Sequence, residues 1–168
     1  VVDSRNHRIQ VFDGSGALIR DWGRHARRPR EGDGRIHDPA CLAFAPDGAF
    51  AVIGEPFEDR VQVFAAAAPD ELEAPREGIP PGEQTHFGKR FATDGDLLVV
   101  PEPEYHRVLV FDLSNEAPVL VGQFGSRGEG FGQFLWPTGV VVDAGRRRAV
   151  VADRATGRLQ VFEINHTP

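Results

Sequence analysis

Short apolar runs alternate with turn-forming sequences along the whole chain. Arg8–Phe12, Ala17–Trp22 and Leu97–Val100 are rich in β-branched, aliphatic and aromatic residues, and segments such as 13–16, Asp-Gly-Ser-Gly, separate them. Such runs favour strands, and glycine- and aspartate-rich segments favour turns. The pattern therefore predicts an all-β protein of short antiparallel strands.

One pattern occurs four times: an acid, four residues, an arginine, an aliphatic residue, one further residue, and Val-Phe. The final phenylalanines, Phe12, Phe64, Phe111 and Phe162, are 52, 47 and 51 residues apart by subtraction of their numbers. A period of this length is typical of propellers and solenoids. The chain is therefore predicted to be a repeat protein.

The acid and the arginine of each copy are predicted to form a structural ion pair. If the acid ends one strand and the arginine begins the next, a four-residue hairpin loop places the two directly across from each other. Catalysis needs groups with different roles at one place, whereas here the same pair recurs and Asp and Glu interchange. The expected pairs are Asp3–Arg8, Glu55–Arg60, Glu102–Arg107 and Asp153–Arg158.

The repeat divides the chain into four units, at 1–23, 39–83, 84–125 and 136–164. The first is incomplete and the last lacks its final strand, so three, four, four and three strands are expected. The third unit is predicted to open with a strand at Phe87–Phe91 and a turn at Thr93–Gly95. Arg24–Asp38 has several charges and no apolar periodicity, which predicts a solvated basic loop.

Several stretches resemble NHL repeats. They are Phe124-Gly-Ser-Arg-Gly-Glu-Gly-Phe-Gly-Gln-Phe134, Pro137-Thr-Gly-Val-Val-Val-Asp143, Val151–Phe162, and Val2–Phe12 with its Asn-His-Arg-Ile-Gln-Val-Phe run. The resemblance implies four-stranded antiparallel blades around a channel, six blades being the most frequent number. About three and a half blades do not close such a ring. We expect a single domain over 1–168 that is a partial β-propeller, with the remaining blades supplied by a longer chain or a second copy.

Composition narrows these expectations only slightly. The 168 residues are 40% hydrophobic and 26% charged, which is typical of a globular protein, and a net charge of −6 opposes a globally nucleic-acid-binding surface. The lone Cys41 cannot form an internal disulfide and is expected to be buried. The chain lacks methionine and opens inside a repeat, so we expect its N-terminus to lie upstream; its localisation is not assigned.

Any binding function is expected on the face that carries the second-to-third-strand hairpins and the loops between units. The residues at the hairpin tips differ from copy to copy while the surrounding pattern repeats, as expected where loops bind. The candidate ligand-binding residues are His7, Arg24, Arg27, Arg28, Arg30, Tyr105, His106 and Arg127.

The resemblance leaves three functions open. The first is a non-catalytic scaffold that binds a protein or small ligand. The second is a peptidylamidoglycolate lyase-like enzyme with zinc in the channel, but Ala40, Phe87 and Thr138 occupy positions where the lyase has histidines. The third is an RNA-binding domain that uses the arginines of one loop, Arg24, Arg27, Arg28 and Arg30. Few aromatic residues accompany these arginines for base stacking. We expect the scaffold, with no catalytic residue, metal or cofactor.

Overall fold

The computed structural model describes residues 1–26, 34–44, 50–58, 60–65, 76–79, 90–114 and 118–164. These residues form eighteen strands and three short 3-10 turns. The strands are β1 Val2–Asp3, β2 Arg8–Phe12, β3 Leu18–Trp22, β4 Arg24–His25, β5 Arg35–Ile36, β6 Cys41–Phe44, β7 Phe50–Glu55, β8 Arg60–Ala65, β9 Arg76–Ile79, β10 Ala92–Asp94, β11 Leu97–Glu102, β12 Arg107–Asp112, β13 Val119–Phe124, β14 Ser126–Arg127, β15 Gln133–Phe134, β16 Pro137–Asp143, β17 Arg148–Asp153 and β18 Arg158–Glu163. The 3-10 turns are Ser4–Asn6, Pro56–Glu58 and Ala144–Arg146.

Four antiparallel sheets follow one another along the chain, and we call them blades 1 to 4. Their strand orders are β1-β2-β3, β6-β7-β8-β9, β10-β11-β12-β13 and β16-β17-β18, which gives three, four, four and three strands. Neighbouring strands in each blade are consecutive in sequence, so every blade is a meander. The fourth strand that the sequence predicts for the second unit is β9, Arg76–Ile79.

The blades pack face to face through three separate apolar clusters. Ile9 of blade 1 meets Ile53 and Phe64 of blade 2, and two larger clusters join blade 2 to blade 3 and blade 3 to blade 4. Successive side chains of a strand point to opposite faces. The middle strands are thus apolar on both faces, and each buried Val or Phe side chain stabilises the stack by roughly 1.5–3 kcal/mol.

The first strand of blade 3 differs from the prediction. It is Ala92–Asp94, and Asp94 pairs with Leu97 across a turn that contains Gly95 at φ +58°. Residues 87–89 lie outside the described residues, and Phe91 is not in a strand but buried beside Cys41. A Cβ at Gly54 would lie 2.7 Å from Cε1 of Phe91, so the glycine makes room for this ring. The packing of Phe91 in the core therefore outweighs its preference for a strand.

The segment Arg24–Asp38 also differs from the prediction of a solvated basic loop. Its two ends form the parallel pair β4–β5, and Ala26 and Ile36 are buried. The loop between blades 3 and 4 has the same construction, with the parallel pair β14–β15 and a buried Phe134. Both loops are anchored by one apolar residue that hydrophobic periodicity does not detect.

Glycines beside these two anchors allow the close approach. Gly23 and Gly125 have φ angles of +104° and +101°, which favour glycine. An added Cβ would lie 2.5 Å from Cδ1 of Ile36 at Gly23 and 2.6 Å from Cε2 of Phe134 at Gly125. Gly23 follows β3 and Gly125 follows β13, and each leaves space for the buried apolar residue of the next loop.

Candidate functional site

In every blade, one hairpin carries the acid and the arginine of the repeat; these hairpins are β1–β2, β7–β8, β11–β12 and β17–β18. All four lie at one end of the strands, which we call the hairpin face. In each hairpin the acid is paired directly with the arginine in the strand register. The register partners are Asp3 and Arg8, Glu55 and Arg60, Glu102 and Arg107, and Asp153 and Arg158. The loops that contain β4–β5 and β14–β15 reach the same face.

Three of these register partners also form ion pairs. The distances between Arg Nε and the carboxylate oxygen are 2.9 Å for Asp3–Arg8, 3.0 Å for Glu55–Arg60 and 2.5 Å for Glu102–Arg107. Glu55 and Glu102 are fully buried, whereas Asp3 keeps solvent contact. Breaking a buried ion pair leaves an uncompensated charge, so disrupting the pairs of Glu55 and Glu102 should cost the most stability.

The fourth register pair is not an ion pair, so the prediction for Asp153 and Arg158 is wrong. Arg158 donates to the carbonyl oxygens of Glu129, Gly130 and Gln133, and its Nε has no hydrogen-bond partner. The inter-blade loop offers carbonyl acceptors, and they replace the carboxylate as the partner of the guanidinium group.

Asp153 instead holds the backbone of the loop. It accepts hydrogen bonds from the backbone N–H groups of Leu135 at 3.0 Å and Trp136 at 2.8 Å. Burial opposes its negative charge, yet these backbone hydrogen bonds outweigh burial and hold the pKa of Asp153 below its usual range. The acid of the repeat is therefore a loop anchor as well as a hairpin residue.

Blade 2 holds its own loop in the same way. Glu55 accepts from the backbone N–H of His37 at 2.6 Å, and Arg60 donates to the carbonyl oxygen of Arg35 at 2.9 Å. Gln62 donates to the same oxygen at 2.8 Å and accepts from the N–H of Gly34 at 3.0 Å.

In blade 4, Gln160 repeats both contacts, donating to the carbonyl of Gln133 and accepting from the N–H of Gly132. Acid, arginine and glutamine thus form a loop clamp.

The arginines of blades 1 and 3 point to their own outer strands. Arg8 donates to the Asp21 carboxylate at 2.6 Å, and Arg107 donates to the Gln123 side chain at 2.8 Å. Blade 3 also has Leu109 where blades 2 and 4 have glutamine, so it has no amide for the clamp. The same arginine position serves a loop in two blades and a neighbouring strand in the other two.

Two histidines at the hairpin tips connect each blade to the next loop. His7 and His106 have φ angles of +54° and +56°, in the left-handed region. The Nδ1 of His7 accepts from the N–H of Asp38 at 2.9 Å, and the Nδ1 of His106 lies 2.8 Å from the carbonyl oxygen of Leu135. The contact of His7 needs an Nδ1 without a proton, whereas the contact of His106 needs an Nδ1 that carries one.

A stack of three histidines lies at the junction of blades 1 and 2. The rings of His7 and His25 are 4.0 Å apart and within 6° of parallel, and those of His7 and His37 are 5.1 Å apart and within 3°. The Nδ1 of His37 is 2.6 Å from the carboxylate of Glu58, which is buried. Sequence reasoning missed this cluster because the three histidines have no regular spacing and only the fold brings them together.

Stacking and burial disfavour a charge on the central ring. Burial lowers the pKa of His7, and the neighbouring His25 and His37 lower it further, while Asp38 has a smaller opposing effect. Among the residues that the structure describes, no three His, Cys, Asp or Glu side chains are placed to hold one metal ion. Cys41 is buried, and burial raises its pKa to about 12.

The candidate binding residues fall in different places. His7 belongs to the histidine stack, and Tyr105 and His106 share the hairpin of blade 3, where the Arg107 guanidinium lies 5.1 Å from the Tyr105 ring centre. Arg127 is exposed in β14. The backbone of Arg24 is in β4, and Arg27, Arg28 and Arg30 lie outside the described residues.

Three exposed aromatic residues on this face were not among the predicted site residues. Phe131 is fully exposed, Phe57 is 71% exposed and Trp136 is 39% exposed. Phe131 lies in the glycine-rich loop between β14 and β15, Phe57 lies in the hairpin of blade 2, and Trp136 directly precedes β16. An aromatic residue within a turn sequence, away from any alternating pattern, is the signal that could have identified them.

Comparisons with known proteins identify the fold and no family. No protein-family model matches the chain, and no curated protein does. Among solved structures, the β-propeller domain of Myceliophteria thermophila Cps50 (Swd1) superposes with a TM-score of 0.63 and 11% identity, covering 95% of this chain and 48% of that one. A functionally unknown protein from Desulfotomaculum acetoxidans gives 0.63 and 15%, covering 99% and 50%.

Hydrazine synthase from Kuenenia stuttgartiensis is also similar, with a TM-score of 0.54, 19% identity, and coverage of 74% of this chain and 32% of that one. The chain thus spans half or less of the length of these proteins. Together with the four face-packed antiparallel blades, the similarities show that the chain is a partial β-propeller. Within the described residues, none of the helical segments has the length and hydrophobicity of a membrane span.

Proposed function

We propose that this chain is part of an NHL-type propeller that acts as a non-catalytic scaffold and binds a protein partner on its hairpin face. The observation that carries the proposal is the exposure of Phe57, Phe131 and Trp136 on that face. Aromatic residues supply much of the binding energy at protein interfaces, because they bury a large area at a small entropic cost. The NHL assignment rests on the repeat motifs of the sequence.

The loop clamp supports this function by fixing the loops before a partner arrives. The loop with Phe131 is held through the N–H of Gly132 and the carbonyls that Arg158 and Gln160 contact. The hairpin with Phe57 is bounded by the buried Glu55 and Glu58. Preorganised loops lose less conformational entropy on binding, which increases affinity.

A site-specific photo-crosslinker tests where the partner binds. The crosslinking amino acid replaces Phe57 or Phe131 in the protein in its native host, and the products are identified by mass spectrometry. Phe44 is the matched control, because it is 48% exposed but lies at the opposite end of the strands. We expect one shared protein product from positions 57 and 131 and none from 44.

Affinity measurements with that product then test the energetics. Phe131→Ala combined with Phe57→Ala should weaken binding at least tenfold without changing the melting temperature, whereas Phe44→Ala should leave binding unchanged. Equal crosslinking from all three positions, or full affinity in the double variant, would overturn the proposal. Stoichiometric zinc in the purified protein would instead favour the lyase-like alternative.

A further inference from the structure

The tip of the blade 1 hairpin contacts the loop between blades 1 and 2. Nδ1 of His7 accepts the backbone N–H of Asp38 at 2.9 Å, and the Ser4 hydroxyl donates to the carbonyl oxygen of Pro39 at 2.5 Å. The loop clamp of blade 2 holds this loop from its other side. A separation at the hairpin tip would therefore move the hairpin and leave the loop in place.

Both partners of the His7–Asp38 hydrogen bond have a left-handed backbone conformation. The φ angle is +54° at His7 and +48° at Asp38, in a region that residues other than glycine rarely adopt. Such conformations persist only where the surrounding contacts hold them. Loss of this hydrogen bond should therefore let the hairpin tip relax away from the loop.

The His7–Asp38 hydrogen bond is possible in only one protonation state of the ring, because Nδ1 accepts only while it carries no proton. Burial and the rings of His25 and His37 lower the pKa of His7, and Asp38 has a smaller opposing effect. Glu58 reaches the histidine stack through its contact with His37. The charged residues of the same hairpin are Asp3, Arg5 and Arg8.

Acid should therefore favour separation of the hairpin from the loop. In the closed junction the pKa of His7 is below the ordinary value of 6.5, whereas in a released hairpin the ring is hydrated and titrates near that value. The released state binds a proton more readily, so a falling pH shifts the equilibrium toward it. The change falls in the mildly acidic range, where histidine is the usual titrating group.

We propose that His7 is a pH-sensitive switch at the junction of blades 1 and 2: its unprotonated ring holds the blade 1 hairpin against the loop, and protonation of Nδ1 releases the hairpin. The two blades stay packed, because the cluster below the hairpin is made of the apolar side chains Ile9, Ile36, Ile53 and Phe64. Release separates the ring of His7 from those of His25 and His37. The switch does not rest on the proposed partner.

Amide hydrogen exchange of Asp38, followed by NMR between about pH 7.5 and 5 and corrected for the intrinsic rate at each pH, tests the switch. Protection of this amide should fall at least about fivefold over that range, in step with the ¹⁵N titration of the His7 ring. The amides of His37 and Gly34 are internal controls, because Glu55 and Gln62 hold them. Their protection should change less than about twofold.

Two variants complete the test. His7→Asn removes the titrating ring and keeps a residue that tolerates the left-handed backbone, so the protection of Asp38 should become independent of pH. His106→Asn is the matched control at the junction of blades 3 and 4 and should keep the pH dependence. Constant protection of Asp38 while the His7 ring titrates would overturn the proposal. So would equal loss of protection at Asp38, His37 and Gly34, because the whole loop would then open.

Discussion

The two described junctions with an inter-blade loop share one scaffold but carry different side chains. At blades 1 and 2 the loop is anchored by Ile36, and at blades 3 and 4 by Phe134, each against a glycine at the end of an outer strand. Glu55 and Asp153 accept backbone N–H groups from these loops at equivalent positions. The repeat therefore specifies how a loop is held and does not specify what the loop presents.

What the two loops present differs in chemistry. The junction of blades 1 and 2 carries three stacked histidines beside the buried Glu58. Blade 4 has Thr156 at the position of Glu58, and its junction presents Trp136 and the exposed Phe131, which favour contact with an apolar partner. The proposed binding would thus rest on residues that vary between repeats, because the repeated ones hold the loops.

The largest expected effect comes from removing a buried acid. Glu55→Ala should lower the free energy of unfolding by about 3–5 kcal/mol, because the guanidinium of Arg60 loses its carboxylate and the N–H of His37 loses its acceptor. Asp3→Ala removes the solvent-exposed pair of blade 1 and should cost much less. Chemical denaturation measures both, and equal losses would contradict the difference between the two blades.

Removal of the amide from the loop clamp should have an intermediate effect. Gln62→Leu should cost about 1–3 kcal/mol, because the N–H of Gly34 and the carbonyl of Arg35 lose a partner. Leucine is sterically acceptable there, since Leu109 occupies the position in blade 3. Gln10→Leu in blade 1 is the control and should be close to neutral. Unfolding curves in which the two variants lose the same stability would argue against the clamp.

The smallest effect should appear as pH dependence at the histidine stack. The pKa of His7 is lower in the folded protein than the ordinary 6.5, so the unfolded chain binds more protons as the pH falls below about 7. Stability should therefore decrease over that range as protonation removes the Asp38 N–H bond to Nδ1. His7→Asn, which tolerates the left-handed backbone, should flatten this dependence between pH 5 and 7.

His106, at the junction of blades 3 and 4, provides the control for that pH measurement. His106 has the same left-handed backbone conformation, but its Nδ1 faces the carbonyl oxygen of Leu135 and not a backbone N–H. The pH dependence assigned to His7 should therefore persist in His106→Asn, which changes a different junction. A slope that persists in His7→Asn would contradict the assignment of the pH dependence to His7.

The sequence predicts the scaffold better than the site, for a physical reason. Alternating apolar residues and the spacing of acid and arginine depend on local strand geometry, so the partial propeller and the facing of Glu55 and Arg60 follow from the pattern. The loop contacts of Arg158 and the stacking of His7 and His25 depend on residues more than fifteen positions apart in sequence. Anchors such as Ile36 are single residues, which no periodicity can reveal.

The displacement of the first strand of blade 3 has a similar origin. Phe91 has high strand propensity, but a socket between Gly54 and Cys41 accepts its ring, and burial there outweighs the preference for pairing. Strand pairing then begins at Ala92. Packing against blade 2 thus determines where the first strand of blade 3 begins, and the sequence around Phe91 alone does not predict this contact.

Amide hydrogen exchange tests the loop clamp most directly. The N–H groups of Gly34 and Gly132 donate to Gln62 and Gln160, and those of His37 and Leu135 to Glu55 and Asp153, so all four should be protected although they lie in loops. In Gln62→Leu, the Gly34 amide should exchange faster while Gly132 keeps its protection. Exchange of Gly34 and Gly132 at the unprotected rate in the unmodified protein would contradict the account.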